Sequence, residues 1–100
     1  MPMYDNKVLR WEILKTIGSY AAFGSFRVKA ILNALRPTGF ESLTEPTLMA
    51  QLRYLELKGY LTIEKTKNLL TEEEYFLITI TPKGIDLLEN RFSDMGVACA

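Results

Sequence analysis

The sequence of 100 residues predicts one mainly α-helical domain of the α+β class, with a small β-hairpin. Three segments place apolar residues at the 3.6-residue period of a helix, and after Gly59 the period changes to two, as in paired strands. The Thr-Pro-Lys-Gly sequence at 81–84 then begins a further helix. Because 48% of the residues are hydrophobic and 24% are charged, the composition is that of a globular domain and excludes a disordered or collagen-like chain.

The first helix is expected to begin after Asp5, a favourable N-cap, and to run toward Gly18. Its apolar residues fall on two faces, of which the larger, around Ile13 and Leu14, should pack in the core. The smaller face consists of Tyr4, Val8 and Trp11. We expect this smaller face to contact a second subunit or, as the alternative, the C-terminal helix.

The next two helices are separated by a short connection. The second is predicted over 26–35, with Ser25 as its N-cap, and a proline ends it by disfavouring helical geometry at the preceding residue. The third is predicted over 45–58, where Thr44 is the N-cap and Pro46 is tolerated in the first turn. The core face of this third helix carries Leu48, Leu52 and Leu55.

A hairpin and a last helix complete the domain. The strands are predicted over 61–66 and 76–81, and the loop between them is longer than a tight turn. The last helix starts at Pro82, with Thr81 as its N-cap. Its apolar face consists of Ile85, Leu88 and Phe92. Residues 93–100 are predicted to be a tail of the same domain, because no linker divides the chain.

Residue counts exclude several classes of chemistry. The chain has no histidine and one cysteine, Cys99, so it cannot form a Ser–His or Cys–His catalytic pair, an internal disulfide or a cysteine zinc site. No stretch approaches the ~18 apolar residues of a membrane span, and no export signal is visible. We therefore expect a cytoplasmic protein that is not an enzyme and that uses no metal or cofactor.

Two stretches resemble a known superfamily. Residues 52–61, LRYLELKGYL, are similar to the end of the recognition helix and the start of the wing in bacterial regulators of the MarR, PadR and ArsR types. Residues 78–88, ITITPKGIDLL, are similar to the second wing strand and the following helix of the same proteins, which include small regulators of prophages. The resemblance covers about 7–92. It implies a winged helix-turn-helix with three helices, a two-stranded wing and a C-terminal helix, and a homodimer that binds double-stranded DNA to regulate transcription.

The resemblance also implies which residues contact DNA. In this superfamily the third helix enters the major groove and the wing reaches phosphate or the minor groove. Helical arithmetic places Pro46 and Leu57 on the outward face of the third helix, with the candidates for DNA contact between them. The candidates on this helix are Thr47, Ala50, Gln51, Arg53 and Tyr54; those elsewhere are Arg27, Lys65 and Lys67.

The charge distribution indicates that the wing binds DNA weakly. The chain has a net charge of zero, but residues 25–58 carry +2 and residues 59–81 carry −2, with three glutamates at 72–74. An acidic wing tip is repelled by phosphate, so we expect modest affinity. The alternative is a protein-interaction module or adaptor that uses the apolar outer face around Ala50, Tyr54 and Leu57.

Overall fold

The structure, a computed structural model, describes residues 5–19 and 24–97. These residues form four α-helices and a three-stranded antiparallel sheet, which confirms the predicted α+β class and is compatible with a winged helix-turn-helix. In chain order the elements are α1 (Asn6–Ser19), β1 (Phe26–Arg27), α2 (Val28–Leu35), a 3₁₀ turn (Arg36–Thr38), α3 (Glu45–Leu57), β2 (Leu61–Lys67), β3 (Glu74–Ile80) and α4 (Pro82–Leu88).

The short strand β1 was not predicted. Phe26 and Arg27 are extended and pair with β3 instead of beginning α2, so β3 is the central strand in the order β1-β3-β2. Ser25 is not the N-cap of α2, because its hydroxyl is 2.6 Å from the Thr79 hydroxyl across the sheet, and Arg27 occupies the cap position without a side-chain cap. The second helix is therefore two residues shorter at its start than its apolar period indicates.

The ends of α3 follow the predicted signals. Thr44 is its N-cap, with a hydroxyl that accepts a hydrogen bond from the Thr47 amide at 3.4 Å. At the other end Gly59 adopts a φ of 84°, a left-handed conformation that favours glycine, and the Tyr60 amide then donates to the Leu55 carbonyl at 3.0 Å. This sharp exit directs the chain from α3 straight into the hairpin.

The last helix, α4, has its predicted start but ends earlier. Thr81 caps it by accepting from the Gly84 amide at 3.2 Å. The helix stops at Leu88, and Asn90 follows with a φ of 59°. Phe92 consequently lies outside the helix, where its ring stacks with Tyr60 at a centroid distance of 6.1 Å.

The core lies between the helices and the inner face of the sheet. The predicted large face of α1 is buried there, as are the three leucines of α3, while Leu61 and Ile78 close the core from the hairpin. Trp11 is only 9% exposed and, with Ile85 and Leu88 of α4, lines a cleft on the surface of its own chain. The C-terminal helix, one of the two partners weighed for the smaller face of α1, thus lies beside Trp11 at this cleft. Val8 is half-buried, and Tyr4 lies outside the described residues.

Residues 94–97, which we call the C-terminal clasp, are packed and do not form the predicted tail. Val97 is buried, and Asp94 accepts hydrogen bonds from the Tyr60 hydroxyl and, at 2.7 Å, from the Gly96 amide. The Lys58 ammonium lies 3.3 Å from the same carboxylate. These contacts fix residues 94–97 against the fold, and residues 98–100, with Cys99, lie outside the described part of the chain.

Candidate nucleic-acid interface

One stripe of α3 is open to solvent, as the helical arithmetic predicts. Pro46, Ala50, Arg53 and Leu57 are all exposed, and Leu57 is exposed to 87%. Arg53 is the single cation of this stripe, and its guanidinium forms an ion pair with Glu56 at 3.3 Å. The same Glu56 accepts a hydrogen bond from the Ile63 amide, which ties α3 to β2. The stripe is therefore mostly apolar, with a single charged side chain that can reach a ligand.

Two predicted DNA contacts, Gln51 and Tyr54, do not lie on this stripe. Gln51 is 8% exposed, and its side-chain oxygen accepts a hydrogen bond from Arg10 at 2.7 Å. The Arg10 guanidinium also stacks on the Tyr54 ring at 3.6 Å and donates to the Gly96 carbonyl at 3.0 Å. Residues 51 and 54 are three apart and so share one side of the helix, and here that side faces α1 and the C-terminal clasp.

Thr47 lies at the margin of the stripe and takes part in the cap of α3. Its amide donates to the Thr44 hydroxyl, and its own hydroxyl accepts from that hydroxyl at 3.0 Å. The side chain is half-buried. Its hydroxyl keeps one lone pair and can still accept a hydrogen bond from outside.

At the edge of this stripe, Arg53 and two further cations lie near two aromatic rings. We call this cluster the α3–hairpin junction; it consists of Arg27, Lys29, Arg53, Tyr75 and Phe76. The Arg27 guanidinium lies 3.8 Å from the centroid of the Tyr75 ring, and that of Arg53 lies 5.4 Å from the centroid of Phe76. Arg27 and Lys29 line one cleft with both rings, with a volume of about 280 Å³. Lys29 forms no ion pair with any residue that the structure describes.

The aromatic half of the junction was missed by sequence reasoning. Tyr75 and Phe76 come next to Arg27 because Arg27 pairs with Leu77 in the β1–β3 ladder, and β1 itself was not predicted. The alternation of β3 alone places Phe76 on the side of Ile78 and Ile80, which favours a core position. A prediction that Phe26–Arg27 form an extended strand would have placed Arg27 beside these rings.

Acidic side chains surround the basic ones. Glu45, Glu73 and Glu74 line the same cleft as Arg27 and Lys29. On the hairpin, Lys65 forms an ion pair with Glu74 at 2.6 Å and Lys67 with Glu72 at 3.9 Å. These pairs are exposed, so each is worth little in water and the lysines remain able to exchange partners. The junction is thus a mixed-charge surface with aromatic rings, and not a strongly basic one.

Other kinds of site find no support in the part of the chain that the structure describes. There, no three histidine, cysteine or acidic side chains are grouped so that they could hold a metal ion. Among the same residues, no helix combines the length and apolar character needed to cross a bilayer. Comparison with known proteins gives no family for the chain, since no protein-family model and no curated protein matches it.

Proposed function

We propose that this protein is a winged helix-turn-helix regulator that binds double-stranded DNA, with α3 in the major groove. The observation that carries the proposal is the α3–hairpin junction, where Arg27 and Lys29 lie near Arg53, the cation of the open stripe of α3. Cations flanking an exposed helix are what a duplex needs, because phosphates give most of the affinity and base edges give the specificity. The order of helices and strands, with α2 packed on α3, supports the same fold.

The contacts divide into two kinds. Arg27 and Lys29 lie at the start of α2 and would bind phosphate, which positions the protein without reading sequence. Arg53 would exchange Glu56 for a base edge, and a guanidinium that donates twice to guanine is the commonest specific contact in the major groove. Ala50 and Leu57 would add apolar contact with thymine methyl groups. Lys65 and Lys67 are balanced by Glu74 and Glu72 on the same hairpin, so the wing offers phosphate no net positive charge and contributes little.

Binding is tested by the fluorescence anisotropy of a mixed-sequence duplex titrated with protein at several salt concentrations. We expect binding at about 50 mM salt that weakens as the salt concentration rises, with a log–log slope of about −2 for two phosphate contacts. Arg27→Ala should weaken binding and reduce the slope by about 1, whereas Arg53→Ala should weaken binding with little change in the slope. Lys7→Ala is the matched control, since it removes one exposed cation from α1 and should change neither quantity.

A second candidate function is favoured by the exposure of Leu57. A leucine that is 87% exposed beside Ala50 and Pro46 makes an apolar, nearly neutral stripe, which suits a protein partner better than a phosphate backbone. In this case the protein is an interaction module or adaptor. The absence of any duplex binding at about 50 mM salt would favour this second function and overturn the first.

The remaining features of the proposal follow from a regulator of this kind. It would act in the cytoplasm without catalysis, cofactor or metal. Two copies would present two α3 helices to half-sites about one helical turn apart. A dimer through Tyr4 and Val8 stays a prediction, and Trp11 can contribute to it only from within the cleft between α1 and α4.

A further inference from the structure

The tip of the hairpin holds two leucines almost completely in solvent. Leu69 is 92% exposed and Leu70 is 94% exposed. The loop that carries them is ordered by Asn68, whose side-chain oxygen accepts from the Leu70 amide at 2.9 Å and from the Thr71 amide at 3.2 Å. The Asn68 and Glu72 amides close the loop by donating to the carbonyls of Glu73 and Asn68 at 2.9 and 2.8 Å. The leucines are therefore displayed by a fixed turn, and their exposure does not come from a lack of local structure.

An apolar cleft lies on another face of the same molecule, between α1 and α4. It has a volume of about 470 Å³, and its apolar lining is Trp11, Gly18, Ile85 and Leu88. Lys15 and Glu89 lie at its rim. The two helices approach closely at Gly18, where a Cβ atom would lie 2.4 Å from Leu88 Cδ1, so the helices themselves fix the cleft. The lining is suited to two branched apolar side chains.

Charge indicates which surface the tip can approach. Of the three glutamates beside the leucines, Glu72 and Glu74 pair with the hairpin lysines, whereas Glu73 forms no ion pair with any described residue. The tip is thus acidic and is repelled by phosphate, both in a duplex and in an anionic membrane. It needs an apolar surface that carries a cation. The rim of the cleft provides one: the Lys15 side chain is 58% exposed, and its ion pair among the described residues is with Glu12 at 3.5 Å. Glu89, on the same rim, is paired with Arg91 at 3.0 Å.

We propose that the hairpin tip of one copy of this protein docks into the α1–α4 cleft of a second copy. Leu69 and Leu70 then contact Trp11 and Leu88, and Glu73 lies beside Lys15. When each copy inserts its hairpin tip into the cleft of the other, the two contacts are equivalent and the assembly closes as a two-fold dimer. This self-association goes beyond the proposed DNA binding and does not depend on it, because it uses no residue of α3 and none of the five residues of the α3–hairpin junction, although Glu73 also lines the cleft that holds Arg27 and Lys29.

The first test is sedimentation velocity of the whole protein without DNA, over about 1 to 500 µM. We expect concentration-dependent dimerisation in the wild type. In parallel, the emission of Trp11, the one tryptophan of the chain, should shift over the same concentrations because this residue lines the cleft. Leu69→Ser/Leu70→Ser should raise the dissociation constant at least about tenfold and abolish the shift. Met95→Ser, which removes an equally exposed apolar side chain from the C-terminal clasp, is the control and should leave both unchanged.

A charge exchange tests the orientation. Glu73→Lys and Lys15→Glu should each weaken the dimer, and the two together should restore it, because the ion pair is then formed in reverse. A wild type that stays monomeric over the whole range overturns the proposal. A dimer that persists in Leu69→Ser/Leu70→Ser also overturns it, since another surface then holds the copies together. Because no DNA is present, neither outcome bears on whether the protein binds a duplex.

Discussion

At the scale of single residues, Arg10 connects three parts of the chain. Its guanidinium donates to Gln51 of α3 at 2.7 Å and to the Gly96 carbonyl at 3.0 Å, and it stacks on Tyr54 at 3.6 Å. Arg10 combines two charge-assisted hydrogen bonds with a cation–π contact. Together these hold the C-terminal clasp against α3 more strongly than apolar contact alone would.

Arg10→Ala is therefore expected to lower the free energy of unfolding by about 2–4 kcal/mol, because it also leaves the buried side-chain oxygen of Gln51 without its partner. Urea denaturation measures this change. The control is Arg91→Ala, which removes two exposed ion pairs at the end of α4 and should cost about 0.5 kcal/mol or less. An equal loss in the two variants would contradict the role assigned to Arg10.

Position 84 requires glycine because α4 packs closely against the backbone of Tyr60, just after α3. A Cβ atom at this position would lie 2.3 Å from the Tyr60 carbonyl oxygen and 2.8 Å from Ile80 Cγ1. The first of these is backbone and cannot rotate away, so we expect Gly84→Ala to destabilise the protein by about 2 kcal/mol or more, despite the better helix propensity of alanine. Thermal unfolding measures the effect. Ala30→Ser, at an exposed position of α2, is the control and should unfold within a few degrees of the wild type.

The carboxylate of Asp94 makes the stability of the clasp dependent on pH. Burial alone would raise the pKa of Asp94, but the hydrogen bonds from the Tyr60 hydroxyl and the Gly96 amide, together with the Lys58 ammonium, lower it below the ordinary value. The pKa of the Tyr60 hydroxyl is raised, by burial and by the same carboxylate. A lowered carboxyl pKa stabilises the fold above the unfolded-state value of about 4, and this contribution is lost as the pH falls through the folded-state value.

Asp94→Asn should therefore be less stable than the wild type by about 1–2 kcal/mol at pH 7, and the difference should shrink as the pH falls below about 4. Urea denaturation at several pH values measures this difference. Asp86→Asn is the control, because that carboxylate is half exposed and faces Arg91, and its removal should cost about 0.5 kcal/mol or less at pH 7. A difference for Asp94→Asn that stays constant down to pH 3 would contradict the assignment.

At the scale of elements, the charges of the hairpin decide how much it can contribute to the proposed DNA binding. Its two lysines are each held by a glutamate on the same hairpin, so the wing offers phosphate no net positive charge. Glu72→Gln/Glu74→Gln frees both lysines while keeping the shape of the side chains. We expect tighter duplex binding and a salt slope that is steeper by up to about 2, measured by anisotropy. Asp86→Asn/Glu89→Gln changes the net charge by the same amount at the C-terminal end of α4, and an equal gain in that variant would show that overall charge alone is responsible.

The elements also show what the sequence can and cannot predict. Helices α1, α3 and α4 have both a period and a cap in the sequence, and their starts were predicted to within a residue. The strand β1 was missed because Phe26 is in phase with the apolar residues of α2, and only its pairing with β3 makes it extended. The α3–hairpin junction was missed for the same reason. Helical arithmetic places Tyr54 on the outward face, but in the structure its ring turns toward Arg10 and Gly96, which cover it.

At the scale of the whole molecule, the C-terminal clasp joins the two ends of the described chain. It packs Val97 into the core and supplies the Gly96 carbonyl to Arg10 near the start of α1. Removal of residues 93–100 should lower the free energy of unfolding by about 3 kcal/mol, since it exposes apolar surface and leaves the Tyr60 hydroxyl without Asp94. Chemical denaturation measures the loss. Met95→Ser, at the exposed position of the clasp, is the control, and a truncation no more harmful than this substitution would contradict a structural role.

The pairing of β1 with β3 has a consequence for the order in which the chain folds. Phe26 lies opposite Ile78, so this ladder closes a loop of about fifty residues, whereas β2 and β3 are joined by a short connection. Contacts of such long sequence separation form late and slow the search for the native state. During synthesis, β1 can pair only after β3 has left the ribosome. The part of the nascent chain that holds α1 to α3 therefore cannot form this sheet on its own.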